Sequence, residues 1–142
     1  MSKAYFDYKE FEQWAKRLSI AKEEFKDWLY EFLFRQGERV VALAKTRQQQ
    51  FSYVTSEGKY KIGLIDTGNM LRSWTVSDVQ VNGNDLYVEI YNPAEYASYI
   101  EYGQRSFKGA FILTVSIDEV QRQLPARFNK EWLQWLQSKG VM

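Results

Sequence analysis

The sequence contains no cysteine and no histidine among its 142 residues. Their absence excludes a disulfide framework, thiolate chemistry, and the side chain that most often serves as a metal ligand or a general base. No apolar run approaches the roughly 18 residues that a membrane span needs, and the N-terminus lacks the basic-then-apolar pattern of a signal peptide. We therefore expect a protein that is soluble and not exported.

The charges are nearly balanced, since 19 Lys and Arg face 18 Asp and Glu and leave a net charge of +1. This balance argues against a whole-chain electrostatic attraction to nucleic acid, although it leaves a local basic patch open. Aromatic residues are abundant, at 17% of the chain, and such side chains suit both cores and protein interfaces. The length fits one domain over residues 1–142, which is long enough to bury a hydrophobic core without help from disulfides or bound metals.

The first third of the chain has helical periodicity. A first amphipathic helix is predicted to begin near Phe6, and Ser19 marks its boundary with a second, longer helix. Gly37 is a weak point in the second helix because glycine has a low helix propensity. The faces predicted to be buried consist of Phe11, Trp14, Ala15 and Leu18 in the first helix, and of Phe25, Trp28, Leu29, Phe32, Leu33, Val40 and Leu43 or Ala44 in the second.

The middle of the chain is rich in β-branched and aromatic residues, which indicates strands. The alternation is clearest where Leu86, Val88 and Ile90 point to one face, as in a strand with one side on a core. The preceding strand changes phase between residues 74–76 and 79–81, which predicts a bulge or a crossover near Ser77 and Asp78. The turn "NGND" then joins the two strands in a hairpin.

The stretch "NPAEYASYIEYGQRSF", residues 92–107, predicts a short helix that begins at Pro93 and ends at Gly103. After it, residues 110–115 fit either a strand or the lead into a helix, and Ser116 should cap a helix that stops at Pro125. A last helix presents Phe128, Trp132, Trp135 and Leu136 on one side. The predicted fold class is α+β, with N-terminal helices that include one long helix, a central antiparallel β-sheet with a crossing helix, and C-terminal helices.

The reactive groups form no constellation with the geometry of an active site. Without His and Cys, a serine triad, a cysteine protease site and the usual zinc sites are all missing. Carboxylate chemistry gains no support from Glu95 and Glu101, because on one helix they would diverge by roughly 240°. We predict that the protein is not an enzyme.

Two segments together resemble the gene-product-ten family of lambda-like tailed phages and prophages. The family pattern is an Asp-Thr-Gly-x-x-Leu-Arg-x-Ser segment, then a hairpin, then a Tyr-Ala-x-Tyr-(Val or Ile)-Glu-(Phe or Tyr)-Gly segment. Here the resemblance runs from residue 65 to residue 107, and after Gly103 this chain has Gln104 where the family has Thr or a similar small residue. The matching residues are Asp66, Thr67, Gly68, Leu71 and Arg72 in the first motif, with Ser73 one position before the serine of the pattern, and Tyr96, Ala97, Tyr99, Ile100, Glu101, Tyr102 and Gly103 in the second.

The resemblance implies a structural protein of the virion neck, for head-to-tail joining or tail completion, that assembles as a homo-oligomeric ring, either a hexamer or a dodecamer. Its expected partners are the phage connector and tail tube proteins, with no cofactor, small-molecule substrate or membrane. Nucleic acid is expected only as DNA passing through the ring. The expected location is the virion neck or tail, and the host cytoplasm during assembly.

The motif residues are expected to support the fold or a contact between subunits. Asp66 and Thr67 should shape the turn, and Arg72 and Glu101 are candidates for an ion pair. An alternative function is a small module for single-stranded nucleic acid, in which aromatic rings stack on bases and cations contact phosphates. Its residues would be Tyr96, Tyr99, Tyr102, Arg105 and Lys108.

Overall fold

A computed structural model describes residues 2–7, 22–55, 57–63, 68–95, 97–103 and 109–140. The fold is α+β, as the sequence predicts, with a long helix early in the chain, two small antiparallel sheets and a long C-terminal helix. The elements in chain order are β1 (Ser2–Asp7), α1 (Lys22–Gln50), β2 (Ser52–Val54), β3 (Tyr60–Ile62), α2 (Asn69–Arg72), β4 (Thr75–Val76), β5 (Gln80–Asn82), β6 (Asp85–Tyr91), α3 (Ala97–Tyr102) and α4 (Ile112–Ser138).

The two long helices, α1 and α4, lie side by side and antiparallel. Arg35 pairs with Glu131 at 3.0 Å and Arg47 pairs with Glu119, so residue numbers rise along one helix as they fall along the other. An aromatic cluster fills the space between the helices, and the Trp28 ring lies 5.0 Å from the Trp132 ring at its centre. The cluster consists of Phe25, Trp28, Phe32, Phe128, Trp132 and Trp135.

The predicted buried face of the long helix is confirmed, with Leu43 only half-buried and Ala44 fully buried. Gly37 has a role that propensity alone does not indicate. A β-carbon added at Gly37 would lie 2.5 Å from a Val76 methyl group and 3.1 Å from a Val88 methyl group. The glycine therefore lets α1 approach the sheet closely.

Strand β6 is the centre of the main sheet, with β1 on one side and β4 and β5 on the other. Leu86, Val88 and Ile90 are fully buried under the helices, which confirms the predicted alternation. The predicted bulge is also present. Val76 pairs with Ile90 while Gln80 pairs with Tyr87, so three residues, 77–79, oppose two, 88–89.

The predicted start of the first helix near Phe6 is wrong. Residues Ser2–Asp7 form β1, which pairs antiparallel with β6 from Ser2 opposite Ile90 to Asp7 opposite Asp85. An edge of β6 supplies backbone hydrogen-bond partners for these residues, which precede the predicted buried positions at 11–18. Residues 8–21, with the rest of that predicted helix and the Ser19 boundary, lie outside the described residues.

The predicted break at Pro125 is also wrong, because α4 continues through it. Val120 and Phe128, on either side of the proline, are both buried, and their burial holds the helix together across a missing backbone hydrogen bond. Ser116 is not a cap. It lies inside α4, where its hydroxyl donates to the Ile112 carbonyl at 2.6 Å.

No helix in the described part of the chain is long and apolar enough to cross a membrane.

Replacing Pro125 with alanine should stabilise the protein. The substitution restores a backbone donor in the middle of α4, and we expect the free energy of unfolding to rise by about 1–3 kcal/mol in urea denaturation. Gln123→Ala, an exposed change in the same helix, serves as the control and should stay within about 0.5 kcal/mol of the parent. A lower stability for Pro125→Ala would contradict the continuous helix.

The effect of Gly37→Ala on the free energy of unfolding should change sign when the neighbouring Val76 is shortened. In the parent chain the added methyl group meets Val76, and we expect a loss of about 1 kcal/mol in thermal or urea unfolding. In a Val76→Ala background the space opens, and the same change should stabilise by about 0.5–1 kcal/mol through helix propensity. Equal effects in both backgrounds would rule out the close approach as the reason for the glycine.

Candidate functional site

The first motif forms a short helix entered through a glycine. Gly68 has a φ of 81°, in the left-handed region, and occupies the N-cap position of α2. The Arg72 N–H donates to the Gly68 carbonyl at 3.1 Å, and the Ser73 hydroxyl donates to the Asn69 carbonyl at 2.6 Å. These two hydrogen bonds stabilise the turn locally. Asp66 and Thr67, which were expected to shape it, lie outside the described residues.

Two side-chain hydrogen bonds connect this turn to the rest of the fold. The Trp74 indole N–H donates to the Gln48 side-chain carbonyl at 2.7 Å, in a buried site at the end of α1. The Asn92 amide donates to the Met70 carbonyl at 2.7 Å, which joins the first motif to the segment that leads into the second. The two motifs therefore meet in space, with β6 between them in the chain.

The second motif contains α3, which begins at Ala97 rather than at Pro93. The Asn92 side-chain oxygen accepts a hydrogen bond from the Ala94 N–H at 3.0 Å, so the chain makes an Asx turn there before the helix starts. The predicted helix end is confirmed, since Gly103 follows α3 with a φ of 91°.

The Glu101 carboxylate caps the N-terminus of α4. One of its oxygens accepts from the Leu113 N–H, and the other accepts from both the N–H and the hydroxyl of Thr114, all at 2.8 Å. Glu101 is 5% exposed, so these bonds satisfy a buried charge as well as two helix N–H groups that have no partner within the helix. A negative charge at this end also interacts favourably with the helix dipole.

The backbone around Glu101 is packed closely. A β-carbon at Gly109 would lie 2.7 Å from the Glu101 carbonyl oxygen, so only glycine permits the contact. The Phe111 N–H donates to that same oxygen at 3.1 Å. Phe111 itself has a φ of 50°, a left-handed conformation that costs a non-glycine residue of the order of 1–2 kcal/mol.

A cavity of about 260 Å³ lies where the two motifs and α4 meet. It combines apolar walls with a few polar groups, and it opens beside Tyr102, which is 56% exposed. The lining residues are Trp74, Tyr91, Asn92, Pro93, Ala97, Ser98, Glu101, Tyr102 and Leu113. Both motifs contribute to this cavity.

The suggested partnership of Arg72 and Glu101 is not seen within the chain. No ion pair joins them among the described residues, and the Glu101 carboxylate is engaged by α4 instead. Arg72 is exposed, with its guanidinium beside Gly68. Leu71 is half-buried in α2, and Ala97 is buried against the cavity.

Several expected site residues lie outside the described part of the chain, among them Tyr96, Arg105 and Lys108, and the side chain of Tyr99 does so as well. Tyr102, the remaining member of the nucleic-acid alternative, contacts Phe111 edge-to-face with ring centroids 6.4 Å apart. That alternative stays a prediction. In the parts of the chain that the structure describes, no group of three or more acidic side chains could hold a metal ion.

Four residues that connect the motifs with α1 and α4 were not predicted from the sequence: Gln48, Asn92, Gly109 and Phe111. Asn before Pro is a recognised turn signal and could have identified Asn92. Gln48 and Phe111 carry no such signal, because their roles depend on contacts with residues distant in the chain.

The geometry is that of a small α+β protein whose two motifs are joined by hydrogen bonds into a scaffold for the long helices. A family model described as "Bacteriophage HK97-gp10, putative tail-component" matches residues 12–103, which is more than half of the chain. The chain belongs to this family, which agrees with the resemblance found in its sequence. No curated protein and no solved structure gives a match.

Removing the Glu101 cap should destabilise the protein. Glu101→Ala leaves the Leu113 and Thr114 N–H groups without their acceptor, and we expect a loss of about 2–3 kcal/mol in the free energy of unfolding. Glu101→Gln keeps the shape but places an NH₂ group against a helix N–H, so it should lose about 1–2 kcal/mol.

The matched control is Glu95→Ala, an exposed acidic residue just before α3, which should change stability by less than about 0.5 kcal/mol. If Glu101→Ala and Glu95→Ala behaved alike in urea denaturation, the capping role would be refuted.

Proposed function

We propose that this chain is a structural subunit of the phage neck, a head-to-tail joining or tail-completion protein that assembles as a ring between the connector and the tail tube. The observation that carries the proposal is membership of a phage tail-component family over residues 12–103. The two sequence motifs add support, because hydrogen bonds in and beside them hold the helices of this fold in position.

The mechanism is complementarity of surfaces rather than chemistry. Each copy contacts a copy on either side, and the ring contacts connector and tail tube proteins on its two faces. Rotationally closed rings of this kind need two different complementary surfaces on every subunit. The protein acts without a cofactor, in the virion after assembly in the host cytoplasm, with DNA passing through the ring.

The subunit has exposed apolar side chains that suit such surfaces. Side chains with large apolar area remain exposed on the hairpin of β2 and β3 and around the N-terminus of α4. Exposed apolar groups that lie together mark interaction sites more often than isolated ones do.

Deleting the coding sequence from the phage or prophage that carries it should block joining. We expect DNA-filled heads and finished tails to accumulate separately in electron micrographs of induced lysates, and the parent chain supplied in trans should restore whole particles. Infectious, normally joined particles without the protein would contradict the proposal.

The Glu101→Ala variant tests whether the scaffold matters for this role. It should restore joining poorly at a temperature at which it is partly unfolded, whereas Glu95→Ala should restore joining like the parent. Quantitative immunoblots of purified particles check whether each variant is incorporated.

A further inference from the structure

The hairpin of β2 and β3 has one apolar face that no other described residue covers. Ser52 pairs with Ile62 and Val54 pairs with Tyr60, which places these four side chains on the same side of the two-stranded sheet. Val54, Tyr60 and Ile62 are 65–66% exposed. We call these three residues the hairpin face.

The opposite side of the hairpin is different. Phe51 and Tyr53 stack with ring centroids 6.4 Å apart and are half-buried. A two-stranded hairpin is marginally stable in water by itself and depends on packing against other structure. One side of this hairpin has such packing, and the hairpin face has none within the described residues.

A second exposed apolar cluster lies at the N-terminus of α4. The Phe111 ring contacts Tyr102, and the Val115 N–H donates to the Phe111 carbonyl, so the three residues are contiguous. Their exposures are 56% for Tyr102, 42% for Phe111 and 38% for Val115. We call them the receptor patch.

The receptor patch is bordered by two cavities that could take side chains. The cavity of about 260 Å³ opens beside Tyr102. A second cavity, of about 200 Å³, is lined by Phe111 and Val115 together with Arg47, Gln50, Phe51, Ala110 and Ile112. The described chain thus presents an apolar hairpin face and, at the N-terminus of α4, an apolar surface bordered by cavities.

Among the described residues, the remaining large exposed apolar side chains are Val81 and Leu133, each outside both clusters. Six of the eight therefore belong to two groups of three. We infer that the hairpin face of one copy packs on the receptor patch of the next copy, a contact that rests on the proposed ring and gives it the two different surfaces it needs.

The conformation of Phe111 supports this assignment. Glycine or asparagine would take its left-handed backbone with less strain, yet the position carries a large aromatic side chain that is 42% exposed. Backbone strain in a well-determined site is a recognised mark of function. Here it holds an aromatic ring at the surface, where the neighbouring copy can cover it.

Charge supports the same pairing. Lys59 and Lys61 are exposed on the hairpin, and Asp118 is exposed one helical turn from Val115. Asp118 has an exposed partner in Arg122, and such a pair is weak enough to be shared. The hairpin lysines therefore meet a carboxylate of opposite charge beside the receptor patch.

Thiol cross-linking tests the contact directly, since the chain has no cysteine of its own. One preparation carries Ile62→Cys and another carries Val115→Cys, so a mixed disulfide forms only between copies. Under mild oxidation of the mixture, at concentrations up to millimolar, we expect the mixed species to form at least about tenfold faster than with Leu133→Cys in place of Val115→Cys.

Equal rates for Val115→Cys and Leu133→Cys would overturn the inference. So would a predominance of Ile62 homodimers, which indicates hairpins meeting one another, or a disulfide that forms only inside a chain carrying both cysteines. If the protein completes particles but shows no such preference, the inference fails and the proposed function stands. If the protein is absent from particles, the proposed function fails.

A second variant separates assembly from folding. Phe111→Asn relieves the strained backbone but removes the ring, so the midpoint of urea unfolding should stay close to that of the parent. The rate of mixed disulfide formation should fall by about tenfold. An unchanged rate would show that the Phe111 ring is not part of the contact.

Discussion

The Glu101 carboxylate lies at the point on which the arrangement of the helices depends. It belongs to the second motif, yet all of its side-chain hydrogen bonds go to the first turn of α4. Because α4 is antiparallel to α1 and shares the aromatic cluster with it, fixing the start of α4 also fixes how the two helices align. Gly109, just before α4, also packs closely against the Glu101 backbone, so a second contact holds the start of α4 against α3.

Both motifs have a structural role around the Glu101 cap. The first supplies a turn that is entered through a glycine; Trp74 connects this turn to α1, and Asn92 connects it to the segment before the second motif. The second supplies a short helix that ends at Gly103 and presents Glu101 to α4. A protein that works by presenting surfaces needs those surfaces in fixed relative positions, and hydrogen-bonded junctions between elements provide that.

Local patterns predicted the elements whose burial is periodic. The stripe of α1, the alternation of β6, the bulge and the glycine stop after α3 all follow from side-chain spacing and turn chemistry. Two of the errors share a physical cause, which is that long-range contacts outweighed local signals. β1 is a strand because β6 offers an edge, and α4 passes Pro125 because Val120 and Phe128 are buried on either side. The role of Glu101 could not be predicted because its partners are 12 and 13 residues away.

The central claim is that copies of this chain form a ring in the neck, with different apolar surfaces in contact on each side of a subunit. A cryo-electron microscopy reconstruction of the neck of particles that carry the protein tests it most directly. The account predicts a closed ring of copies between connector and tail tube, with Ile62 of each copy against Val115 of the next. A neck without this protein, or with copies that do not touch, would contradict it.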